Sequence, residues 1–282
     1  MGTGARDELG RYGVWRTAQD VTPELAAHLE QLGFGALWLG GSPAGDLHDV
    51  EPLLAATTRL TVATGIVNVW SSDARETAAA WARVEATAPG RFLLGVGIGH
   101  PEATKEYASP YETLRGYVET LLDGGVPAGR LVLAALGPRV LRLAAERTAG
   151  AHPYLTTPEH TRVAREVLGA DPVLAPEHKV VLDTDPERAR ALGRSRVEKP
   201  YLHLSNYTAN LRRLGWSDED IEAPGSDALI DALVAHGTGA EVAARLEEHL
   251  AAGAVHVAVQ LLTPPEADLL DSYRQLAGAL GL

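Results

Sequence analysis

The 282-residue sequence contains no cysteine. Disulfides, thiolate metal sites and a cysteine nucleophile are therefore excluded. No run of about 18 consecutive apolar residues is present, so no membrane-spanning helix is expected. Met1-Gly-Thr-Gly-Ala-Arg-Asp-Glu8 also lacks the apolar stretch of a secretory signal, and a soluble cytoplasmic protein is expected. Positive charge is in short supply: 25 lysines and arginines face 37 acids, a formal net charge of -12. Nucleic acids and anionic membranes are normally met by a basic patch, so neither is expected as a partner, although a local anion site stays compatible. Phenylalanine and methionine are scarce, which coding bias explains as well as physics does, and no function follows from it. No Pro/Gly/Ser-rich linker divides the chain, and residues 1–282 are expected to form a single domain.

What is present is an alternation of strand and helix patterns. Leu60-Thr-Val-Ala-Thr-Gly-Ile-Val-Asn-Val-Trp70 is β-branched and apolar in both alternating sets, as expected of a parallel strand covered on both faces. Ser71-Ser-Asp73 supplies helix caps, and Thr77, Ala80, Trp81, Val84 and Ala88 fall on one helical face before Pro89-Gly90 ends the run. A second apolar run, Arg91 to His100, carries glycines at 95, 97 and 99, where backbone can approach a flat or anionic ligand. Strands are expected also at Tyr12–Trp15, Ala36–Gly40, Arg130–Leu136, Ala151–Leu155, about 173–182 and Val255–Leu261. Helices are expected after Thr22-Pro23-Glu24, over 50–58, over 111–122, after Gly137-Pro138 and after Thr157-Pro158-Glu159. Eight strands alternating with helices, at about 35 residues per unit, match an α/β fold of the (β/α)8 TIM-barrel type. The stretch from Asp185 to Gly253 exceeds one unit and reads as a helical excursion between strands seven and eight, placed to cover the barrel mouth.

In such a barrel, chemistry sits at the carboxyl ends of the strands. That filter retains few of the ten histidines. His28, His160 and His249 fall on helices, where a solvated or helix-end role is expected, and His178 and His256 fall in strand bodies or starts. Gly40-Gly-Ser-Pro-Ala44 has the look of a nucleophile elbow, but the oxyanion hole needs the N–H after the nucleophile and Pro43 has none. Clustered metal ligands at strand ends are missing, so no metal is expected. The Gly-x-Gly-x-Gly run lacks the spacing of a dinucleotide fingerprint. Trp15, Trp38, Trp70 and Tyr154 are candidates for an apolar cavity, although tryptophans more often fill a core.

Three segments resemble the luciferase-like monooxygenase superfamily, in particular its coenzyme F-420-dependent oxidoreductase branch. They are Ala63-Thr-Gly-Ile-Val-Asn68, Pro89-Gly-Arg-Phe-Leu-Leu-Gly-Val-Gly-Ile-Gly-His-Pro101 and Ala149-Gly-Ala-His-Pro-Tyr-Leu-Thr-Thr-Pro-Glu-His160. The resemblance implies a luciferase-like barrel that transfers a hydride between the deazaflavin coenzyme F-420 and a small organic substrate. An FMN-dependent monooxygenase and a non-catalytic flavin- or deazaflavin-binding relative are the alternatives, and a homodimer is implied by the same resemblance.

The resemblance places a polar residue beside the reacting face of the coenzyme at His100, the first catalytic candidate, whose imidazole can exchange a proton as hydride moves. Several relatives carry a histidine after strand two. Here that exit reads Gly40-Gly41-Ser42-Pro43, so Ser42 is the second candidate and the sugar-phosphate dehydrogenase activity of those relatives is in doubt. Gly65-Ile66 stands where the family has a bulge with a non-prolyl cis peptide behind the ring. Gly40, Gly41, Thr64, Gly65, Ile66, Gly97, Ile98 and Gly99 are expected to bind the coenzyme. Leu136-Gly137 and Thr156-Thr157, at two helix starts, are expected to hold its phosphate end with free N–H groups.

Overall fold

A computed structural model describes residues 5–99 and 109–282. Eight strand positions, all parallel, form its centre. They are β1 (Tyr12–Thr17), β2 (Ala36–Gly40), β3 (Thr61–Thr64, resumed at Val67–Asn68), β4 (Phe92–Gly97), β5 (Leu131–Leu133), β6 (Gly150–Ala151), β7 (Val173–Leu174, resumed at Glu177–Val181) and β8 (Val257–Leu261). Each pairs with the next, and β8 pairs back onto β1 through Tyr12 opposite Val257. Only Ala175-Pro176 separates the segment of β7 that pairs with β6 from the segment that pairs with β8, so the sheet closes on itself. The expected α/β barrel is present.

Local chemistry explains most of the helices. Thr22 caps the helix Pro23–Gln31 by accepting from the Leu25 N–H, Asp73 caps Ala74–Thr87 through two N–H groups, and Thr157 caps Pro158–Leu168 through the His160 N–H. Thr77, Ala80, Trp81 and Val84 are buried, as their spacing requires. The strands depart more from expectation. β5 ends at Leu133, the Ala134 N–H makes one last bond to Val96 O, and Ala135 and Leu136 leave the ladder. β6 ends at Ala151, because Pro153 two residues on cannot donate to a neighbour. The helix expected over 50–58 stops at Ala55.

The excursion contains helices Pro186–Val197, Ser205–Arg213, Asp218–Ile221, Asp227–Leu233 and Gly239–Ala251, and one strand that the sequence did not suggest, Val234–His236. That strand pairs with residues 179–181 of β7. The short β6 leaves the upper edge of β7 without a partner, and buried backbone N–H and C=O groups must find one. Val234–His236 fills the gap. Three apolar clusters result. One packs helices onto the barrel, one with Leu202, Leu204, Leu211, Ile230 and Leu233 belongs to the excursion, and one with Trp15, Trp38, Ala63, Leu93 and Ala258 fills the barrel interior. Among the described residues no helix is long and apolar enough to cross a membrane.

Candidate active site

A cavity of about 520 Å³ opens at the carboxyl ends of the strands. Its wall draws on β1 (Trp15, Thr17), the β2 exit (Gly41, Ser42), the break in β3 (Gly65, Ile66), the β4 exit (Ile98, Gly99), the segment after β5 (Ala134 to Gly137), the segment after β6 (His152, Tyr154) and β8 (Gln260). The excursion closes the remaining side with Ser195, Arg196, Lys199, Tyr201 and Tyr207.

The break in β3 is a cis peptide between Gly65 and Ile66. A side chain on Gly65 would come within 3.0 Å of both Trp15 Nε1 and His152 Nε2, so only glycine leaves room beside those two atoms. The helix after β5, Pro138–Arg147, begins at Gly137 with no side-chain cap, and its first backbone bond runs from Leu141 N to Gly137 O. The N–H groups of Arg139 and Val140 precede that bond and have no partner within the helix, with the Arg213 guanidinium 3.8 Å from where a Gly137 Cβ would stand. His160 is buried, contrary to the expected solvated position, and its Nε2 meets the Leu136 carbonyl at 2.9 Å.

Beneath the mouth lies a buried ion pair. Lys179 Nζ is 3.1 Å from Glu177 Oε1, and both side chains are 0% exposed. Burial pushes the carboxyl up and the ammonium down, and each partner's charge opposes the shift. Glu177 Oε2 also accepts from the Leu155 N–H, and the ammonium lies 4.1 Å from the centre of the Tyr154 ring. Burial, with Glu177 adding to it, raises the Tyr154 phenol well above its usual range. Its hydroxyl stays protonated and donates to Gln260 Oε1 at 3.0 Å.

Of the residues expected at the site, Gly41, Ser42, Gly65, Ile66, Ile98, Gly99, Leu136 and Gly137 line the cavity. His100 lies outside the described residues. Five others stand behind the wall. The Thr64 hydroxyl is spent on Gly95, accepting from its N–H and donating to its C=O, both at 2.8 Å. A Cβ on Gly40 would lie 1.8 Å from the Trp15 ring, so that position serves close packing. Gly97 is wedged between Ala134 and Ile66. Thr157 is committed to its helix cap, and Thr156 is buried, its carbonyl facing His178 Nδ1 at 3.3 Å. Trp15 and Tyr154 line the cavity as candidates, whereas Trp38 is fully buried below it.

Sequence reasoning passed over His152, Gln260, Arg196 and Lys199. The strand-exit rule already pointed to His152, which directly follows Ala151 at the end of β6. The excursion residues carried no such signal.

Residues 9–124 match the family pattern described as luciferase-like monooxygenase. The fold is luciferase-like. No curated protein matches the sequence. An F-420-dependent secondary alcohol dehydrogenase in complex with an F-420–acetone adduct shares the fold at 16% identity, with TM-score 0.72, 96% of this chain and 99% of that one covered. The coenzyme F-420-dependent tetrahydromethanopterin reductase of Methanopyrus kandleri does so at 17% identity and TM-score 0.69, covering 96% and 98%. The oxygenating constituent of 3,6-diketocamphane monooxygenase from the CAM plasmid of Pseudomonas putida, a type II Baeyer-Villiger monooxygenase in complex with FMN, stands at 14% and 0.70, covering 96% and 98%. The luciferase-like neighbours thus use either ring system. The cavity of this chain presents a glycine-cleared wall at Gly65, apolar Ile66 and Ile98, and an uncapped helix start at Gly137.

Proposed function

We propose that this chain is an oxidoreductase that binds coenzyme F-420 and exchanges a hydride between it and a small organic substrate. The observation that carries the reading is the cavity itself. The glycine-cleared wall at Gly65 and the uncapped start of Pro138–Arg147 open into one space at the carboxyl ends of the barrel strands. When bound, the deazaflavin ring supplies the two-electron hydride chemistry. Ile66 and Ile98 give that ring an apolar face, and the Arg139 and Val140 N–H groups receive its phosphate. Arg196 and Lys199, at the mouth of a protein with net charge -12, favour the more heavily anionic of the two coenzymes. Calorimetric titration is expected to give a lower Kd for F-420 than for FMN. Tighter binding of FMN reverses the assignment in favour of the flavin.

We assign the proton that accompanies the hydride to His100, with Ser42 as the other candidate at the cavity wall. Replacing His100 with alanine is expected to leave coenzyme affinity nearly unchanged and to lower single-turnover hydride transfer by about 10²–10⁴-fold, the usual contribution of a general acid or base. A change below about tenfold, well short of that contribution, moves the role to Ser42 or a bound water.

A further inference from the structure

We infer that Trp15 Nε1 and His152 Nε2 form a donor–acceptor pair that reads the imide edge, –C(=O)–NH–, of the coenzyme ring. The assignment rests on the proposed flavin-type function and goes beyond it by fixing which end of the ring enters the barrel.

Three observations carry it. First, both atoms are buried polar groups with no hydrogen-bond partner among the described residues, and both side chains line the cavity. An unpartnered buried donor or acceptor is costly, which points to a ligand group or water that completes it. Second, both atoms approach the same point, the place a Gly65 Cβ would occupy, at 3.0 Å each. A planar group laid over the bare Gly65 backbone would present one edge to both.

Third, their chemical roles are fixed. The Trp15 indole can only donate. His152 Nδ1 lies 2.7 Å from the Ala175 carbonyl, which can only accept, so Nδ1 carries the proton and Nε2 offers a lone pair. Burial holds this imidazole neutral, with its pKa lowered to about 4. A flipped ring would turn Cδ2 towards that carbonyl and lose the bond, while Trp38, stacked at 4.0 Å and 14°, holds the plane. Trp38 is itself held by donating to His256 Nε2 at 3.0 Å, and His256 Nδ1 donates to the Gly10 carbonyl at 2.8 Å.

A donor beside an acceptor selects a ligand edge with the opposite pattern. The lone pair of Nε2 repels a carboxylate or phosphate, and the indole N–H repels an ammonium. The imide of a flavin or deazaflavin presents a carbonyl and an N–H on adjacent atoms in one plane, is neutral, and is common to both ring systems. The anionic end of the same coenzyme is then left for the Gly137 helix start.

The test compares binding of FMN with 3-methyl-FMN, and of 5-deaza-FMN with its 3-methyl derivative, in which the imide N–H is blocked. Fluorescence titration of the wild type is expected to show each methylated ligand about tenfold weaker, the size of one buried hydrogen bond lost. In His152→Phe, which keeps the stack on Trp38, that ratio is expected to fall to near one while circular dichroism stays native. Trp15→Phe is expected to weaken both members of a pair equally and to preserve the ratio, since the indole meets the carbonyl and not the N–H. A ratio near one in the wild type, or a full ratio surviving in His152→Phe, overturns the assignment. Failure of both F-420 and FMN to bind overturns the proposed function and this assignment with it, whereas binding without sensitivity to methylation removes this assignment alone.

Discussion

The chain is expected to lose stability steeply as pH falls from about 6.5 towards 4, well before general acid denaturation of its carboxylates. His152, His178 and His256 are fully buried and held neutral by that burial, with pKa values lowered to about 4, 3 and 4. His160 and His249 move in the same direction for the same reason. An unfolded histidine titrates near 6.5, so between that value and the folded pKa the unfolded chain binds more protons than the folded one. Stability therefore rises with pH across the window, is fully present above about 6.5, and is lost as pH falls through it. Each pH unit separating the folded from the unfolded titration is worth about 1.4 kcal/mol, so each of the three costs roughly 3 kcal/mol by pH 4, a large part of the stability of an ordinary domain. Urea denaturation at intervals between pH 7.5 and 4.5 checks this. A midpoint that does not move across that range would contradict the buried neutral assignment.

The second large effect is expected at Glu177. Replacing it with alanine leaves the Lys179 ammonium without its carboxylate in a fully buried position and leaves the Leu155 N–H without an acceptor. Breaking one side of a buried pair costs about 3–5 kcal/mol, because the remaining charge is uncompensated. The double variant Glu177→Gln/Lys179→Met should recover most of that loss. The amide oxygen of glutamine still accepts from Leu155, and methionine fills the volume of the lysine stem without a charge. Tyr154 gives a local readout, since its ring lies over Lys179 and its hydroxyl is fixed by Gln260 at the cavity wall. Equal destabilisation in the single and double variants would show that the site depends on the ion pair itself and not on charge balance.

Much of this architecture is legible in the sequence because local rules act strongly. Thr22-Pro23, Asp73 and Thr157-Pro158 open helices where side-chain caps and preset φ angles dictate it, and Ala36–Gly40 is a strand because five consecutive residues are buried on both faces. Gly65-Ile66 was readable only by resemblance, since nothing in a glycine–isoleucine pair announces a cis bond. The rest depends on tertiary context. Ala134-Ala-Leu136 is as apolar as β5 itself, yet it turns out of the ladder to line the cavity. Val234–His236 becomes a strand because β7 has an unfilled edge, a fact belonging to β6. His160 and His249 were expected on helix surfaces, but Leu136 O and the pair Thr161 and His178 draw them into the interior. His152 satisfied the strand-exit rule and still passed unnoticed, because its significance lies in what its second nitrogen does not touch.

The stack of Trp38 under His152 also gives the cavity an apolar floor. Below His152 the barrel interior is filled by Trp38, Ala36, Ala63, Leu93, Val132 and Ala258, and the one proton on the imidazole is tied to a strand carbonyl. The hydrogen bonds that continue below it, from Trp38 to His256 and from His256 to the Gly10 carbonyl, end on an acceptor that has no proton to pass on. In the proposed reaction, a proton that accompanies the hydride would therefore be exchanged on the mouth side of the ring and not through this floor.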